Sequence, residues 1–198
     1  MGVFYKVSDK QLLHDRNNLF KEIGMPALEK KGFVKSPFNG AWHGEFDKST
    51  QAFYYDFCRI SSQRHLEILC VSIIKGDDRI NVYLCVFELV PPINSISELS
   101  GYEGIPFLMT VKNKSKYMKL RCDDYKGPPL FYMLFLPEHK IGRFHTKKGY
   151  ERQIERLKNL IKKDMENIDD FIRRWHELHQ VNQTDWEGKP MVTPQNQQ

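Results

Sequence analysis

Three stretches rich in Phe, Tyr, Val and Ile, at 51–60, 65–74 and 79–90, follow one another almost end to end. They are separated only by Ser61-Ser62-Gln63-Arg64 and by Lys75-Gly76-Asp77-Asp78. Branched and aromatic side chains suit a pleated, half-buried surface, and four polar residues suffice for a hairpin turn. Four residues cannot make the crossover that parallel strands require. The spacing therefore predicts a three-stranded antiparallel meander, preceded by a strand near 41–46 and closed by Pro91-Pro92.

Helical periodicity flanks this meander. Ser8-Asp9-Lys10-Gln11 has the form of a capping box, and Leu12, Leu13, Leu19, Phe20 and Ile23 share one helical face. Gly24 and Pro26 interrupt the pattern and Gly32 offers a stop, so 9–31 reads as one kinked helix or two abutting ones. Near the other end Ile154, Leu157, Ile161, Ile168, Phe171, Trp175 and Leu178 recur at steps of three or four, with a step of seven across Asp164. Leu160, Met165 and Ile172 widen that stripe enough for a helix lying on a sheet. The fold class expected is α+β: an antiparallel sheet (meander) packed against an N-terminal helix and a long C-terminal helix. Residues 1–181 form a single domain in this reading. Residues 182–198, polar and without periodicity, form a disordered tail. Strands are also expected at 107–111, 117–121 and 130–136, where Pro128-Pro129 suits a sheet edge.

Charge is concentrated in one segment. The net charge is +5, yet 110–148 alone holds ten cations against three anions, leaving the rest slightly acidic. Within it, Lys112-Asn113-Lys114-Ser115-Lys116 alternates lysine with small polar residues. That pattern protects a sheet edge or follows a phosphate backbone. His139 and His145 stand among Lys140, Arg143, Lys147 and Lys148, a composition that can grip a phosphate. Lys112, Lys114, Lys116, Arg121, His139, Arg143 and His145 are thus the candidate binding residues. No Gly-rich phosphate loop, nucleophile elbow or zincin pattern is present, so no catalytic residue and no cofactor are expected. His176 and His179 lie one turn apart, but no local third ligand accompanies them and no metal site is expected. Cys58, Cys70, Cys85 and Cys122 lack any close pair and read as buried structural thiols. Neither a signal-peptide core nor an apolar run near twenty residues occurs, which points to a cytoplasmic protein without a membrane partner.

Residues 12–90 carry an amphipathic helix, then Leu28-Glu29-Lys30-Lys31-Gly32-Phe33, an aromatic strand around 42–46 and the meander. In this order they resemble an uncharacterised bacterial family of small α+β domains. The long terminal helix after a second β region is similar too, whereas the Lys-rich stretch at 112–126 has no counterpart. The resemblance implies the fold, a bacterial origin and an immunity-type or accessory role in binding another protein. It supplies no catalytic residue. The functional expectation is a non-enzymatic binding module engaging a protein partner, with Trp42, Tyr54, Tyr102 and Tyr117 as candidate anchors. The alternatives are nucleic-acid or phosphoester binding through 110–148, with or without hydrolysis, and a small-molecule pocket between sheet and helix.

Overall fold

Ser8 starts the first helix by accepting a hydrogen bond from the Gln11 backbone N–H at 3.1 Å. The reciprocal half of the expected box is absent, because the Gln11 side chain donates to Asp15 instead. The computed structural model describes residues 5–105, 117–125 and 138–191. The strands expected at 107–111 and 130–136 lie outside those residues, as do Lys112, Lys114 and Lys116.

Helix α1 (Asp9–Leu19) widens into a π-helical turn at Phe20–Gly24 and continues as α2 (Met25–Lys30). The widening comes just before Pro26, whose ring has no N–H and crowds the carbonyl four residues back. Gly24 also permits close packing, since a Cβ there would stand 2.5 Å from the Phe20 ring. The helix ends in a Schellman cap. Phe33 N–H bonds the Leu28 carbonyl, Gly32 N–H bonds that of Glu29, and Gly32 takes φ +81. The Lys-Gly-Phe signature is therefore a helix stop, with Phe33 folded back into the core at 1% exposure.

The strands are β1 (Val34–Lys35), β2 (His43–Asp47), β3 (Ala52–Ile60), β4 (His65–Ile74), β5 (Asn81–Leu89), β6 (Met118–Lys119) and β7 (Asn182–Thr184). The main path runs β1-β3-β4-β5-β6, with β2 sharing the β3 edge and β7 sharing the β5 edge. Pairing is antiparallel throughout, except that β7 lies parallel to β5. The meander forms as its spacing requires, and the protein is an α+β fold with helices from both ends of the chain on the sheet.

Register sorts the side chains. Tyr55 and Phe57 of β3 meet the Phe20 ring, with centroids 5.0 and 6.3 Å away, so this face is the helix-covered one. Leu69, Val71 and Ile73 of β4 and Val82, Leu84 and Val86 of β5 share it by alternation. Helices α3 (Lys147–Glu166) and α4 (Ile168–Leu178) complete the cover, with Leu157, Ile161, Met165, Ile168 and Trp175 at 0–1% exposure. The expected single long helix breaks at Asn167, whose N–H and side chain bond back to the last turn of α3. Arg16, fully buried, ties α1 to the sheet through the carbonyls of Ile74 and Arg79.

The C-terminal expectation needs correction. Asn182–Thr184 is a strand, paired with Phe87–Leu89. Trp186 then donates its indole N–H to the Pro91 carbonyl at 2.6 Å and packs edge-on against Tyr102. Polarity misled here: a short edge strand uses backbone hydrogen bonds and needs no apolar side chains. Residues 192–198 lie outside the described residues.

Candidate functional site

The basic segment is the first place to look, and its described part turns inward. Asp164 sits on the apolar stripe of α3 at 2% exposure. Arg121 donates to its carboxylate through Nε at 2.7 Å and Nη2 at 2.5 Å, and His139 Nε2 donates at 2.6 Å. Burial raises the carboxyl's pKa, but the bonds from Arg121 and His139 outweigh it and hold Asp164 below its ordinary value. Arg121 and His139 thus serve a buried ion cluster joining the 117–125 segment, the 138–141 loop and α3. Arg143 and His145 are exposed on the loop before α3. The structure does not bring Arg143 and His145 together with Arg121 and His139 on one surface.

His176 packs on His65, with ring centroids 5.8 Å apart, and burial together with His65 lowers its pKa. No group of three or more His, Cys, Asp or Glu among the described residues could hold a metal ion. No helix among them is long and apolar enough to cross a membrane.

The concavity lies on the other face of the sheet. By alternation that face carries Tyr54, Asp56 and Cys58 of β3, Ile68, Cys70, Ser72 and Ile74 of β4, and Tyr83 and Cys85 of β5. The 3-10 turn Ile96–Leu99 packs against β3, Cys58 and Cys85 are buried, and two loops roof one side. Asn39 and Gly40 donate their backbone N–H groups to the carbonyls of Tyr102 and Glu103 at 2.8 and 3.1 Å, clasping 36–42 to 101–105. Asp56 latches the first loop to β3. Its Oδ2 accepts the Trp42 N–H at 2.8 Å, its own N–H donates to the Trp42 carbonyl, and its carbonyl accepts from Ser36.

Between roof and sheet is a cavity of about 580 Å³. Phe38, Trp42, Tyr54 and Tyr83 supply aromatic walls, with Ile68, Ile74 and Ile105 as aliphatic ones. Trp42 and Tyr54 are neighbours at 5.9 Å. Polar residues are few: Ser36, Ser72 and Cys70, with the acidic residues Asp56, Glu103 and Asp47, whose carboxylate is held by Ser49 and Thr50 in the turn after β2. Burial pushes the Asp56 carboxyl above its ordinary pKa, partly offset by hydrogen bonds from the Cys70 thiol and the Trp42 N–H. Burial also pushes the Cys58 thiol up to about 12 and the Cys70 thiol well above its usual value. Neither thiol is ionised at neutral pH, so neither is an activated nucleophile. Volume and lining fit a preformed pocket that holds an apolar group and orients it through a few polar ones.

No protein-family model, no curated protein and no solved structure matches the chain.

Sequence reasoning singled out Trp42 and Tyr54, and both line the cavity. It missed Asp56, Cys70, Ser72 and Tyr83. A signal existed for Asp56, the one acidic residue in the run AFYYDFCRI, at a position sharing a face with Tyr54 and Cys58. A pocket between sheet and helix was one of the alternatives. The cavity is on the opposite face, because the helices fill theirs with aromatic rings.

Proposed function

We propose that the protein is a non-enzymatic binding module whose site is the cavity on the sheet face opposite α1, α3 and α4, and that the group it takes belongs to a protein partner. The observation that carries this reading is a preformed, aromatic-walled cavity with one partly buried carboxyl and no ionised thiol. Trp42, 39% exposed at the cavity mouth, and Phe46, 42% exposed on the neighbouring β2 edge, are the residue types that anchor interfaces. The accessory-type role implied by the resemblance of residues 12–90 agrees with it. Half-buried Arg121 and buried His139 weaken the alternative of nucleic-acid or phosphoester binding, because they already donate to Asp164.

A photo-crosslinking residue at position 54, compared with one at exposed position 159, tests the proposal. A discrete protein adduct is expected at 54 and not at 159, and filling the cavity by Ser72→Phe should abolish it. Identical adducts at both positions, or none at 54, would contradict the proposal.

A further inference from the structure

Charge around the cavity is one-sided. The described lining residues include Asp47, Asp56 and Glu103, and no lysine, arginine or histidine. This is unexpected in a chain of net charge +5. Asp56 is half-buried among Trp42, Tyr54, Ile68 and Tyr83, and its carboxylate has acceptor positions beyond the Trp42 N–H and Cys70 thiol. Aromatic faces attract cations through their quadrupoles, and the attraction grows where water is excluded. A carboxylate beside such faces binds an ammonium more strongly than either feature alone. An anionic ligand would meet the half-buried Asp56 carboxyl and no opposite charge among the described lining residues.

We propose that the cavity is selective for an organic cation, an ammonium head group on an apolar body, with the head at Asp56 between Trp42 and Tyr54 and the body against Ile68 and Ile74. This rests on the reading of the cavity as the binding site and adds the chemical class of its occupant. Two sources share the chemistry: a free small ammonium compound, or a lysine side chain, methylated or not, presented by a partner protein.

Titration calorimetry on the full chain distinguishes these cases. The probes are benzyltrimethylammonium and its neutral isostere neopentylbenzene, then N-acetyl-lysine methylamide and its trimethylated form. The cation should bind about tenfold or more tighter than the isostere. Asp56→Asn should remove most of that preference while the neutral isostere keeps its affinity. Because Asp56 also latches the roof loop, Tyr54→Leu serves as a second variant. It leaves the latch in place and should reduce the preference severalfold. Binding of benzyltrimethylammonium alone identifies a free small molecule, and binding of the lysine derivatives identifies a side chain; either supports the inference. Equal or tighter binding of the neutral isostere overturns cation selectivity and leaves the cavity as an apolar site. Failure of every probe overturns both readings.

Discussion

Replacing Asp164 by Asn would keep the shape of a buried side chain while removing the charge that holds three elements together. The side chains of Asp164, His139 and Arg121 are 2%, 3% and 16% exposed. Water therefore compensates little for lost partners. An amide replaces one acceptor oxygen by a donor NH2 group where the carboxylate accepts three hydrogen bonds, so a donor would face a donor and the guanidinium would lose its counter-charge. Removing one partner of a buried pair costs about 3–5 kcal/mol, and the partial exposure of Arg121 places this case near ~3 kcal/mol. For a chain of this size that is a fall in Tm of roughly 6–12 °C. Urea denaturation followed by far-UV circular dichroism measures the loss. Arg121→Met with Asp164→Leu, which removes both charges together, should recover at least half of it. The pH dependence has a definite sign. Asp164's pKa is lower in the fold than in the unfolded chain, so its contribution is complete above the ordinary carboxylate value near ~4 and disappears as pH falls through the folded value. Asp164→Asn should flatten that acid limb. A loss below ~1 kcal/mol, with the acid limb unchanged, would refute the claim that the cluster is a structural keystone.

Gly24→Ala should cost about 1–3 kcal/mol in the same assay, because a Cβ meets Phe20 at 2.5 Å and Ile161 at 3.3 Å; a neutral effect would mean the π-helical turn relaxes freely. In the native protein a thiol reagent should modify Cys122 and leave Cys58, Cys70 and Cys85 untouched until the chain unfolds; rapid reaction of a second thiol would contradict their burial. Trp175→Ala, at a fully buried α4 position, should cost about 3–5 kcal/mol, and a cost under ~1 kcal/mol would mean that α4 is not docked on the sheet. Binding to single-stranded RNA or duplex DNA should be weak at physiological salt; tight binding that falls steeply with salt would move the functional surface to Arg143, His145 and the adjoining lysines.

The meander was legible because its signals were local: residue type, four-residue gaps and turn chemistry at Lys75-Gly76-Asp77-Asp78. Gly32 as a stop was legible for the same reason. The helix stripe was legible too, but Asp164 looked like an interruption, since its partners Arg121 and His139 come from 43 and 25 residues away. Those residues drew attention as free cations for the same reason. The cavity was least legible. Two loops and the outward positions of three strands build it, and only sheet register brings Asp56 opposite Cys70 and Cys70 opposite Tyr83. β7 escaped notice because backbone pairing leaves no mark in side-chain polarity.

The most direct measurement of the central claim is a backbone-amide NMR titration with a mixed set of aromatic fragments of positive, neutral and negative charge. The account predicts shifts confined to Trp42, Tyr54, Asp56, Ser72, Tyr83 and the 101–105 loop, and their loss in Ser72→Phe. Shifts clustered around Arg143 and His145, or none anywhere, would contradict it.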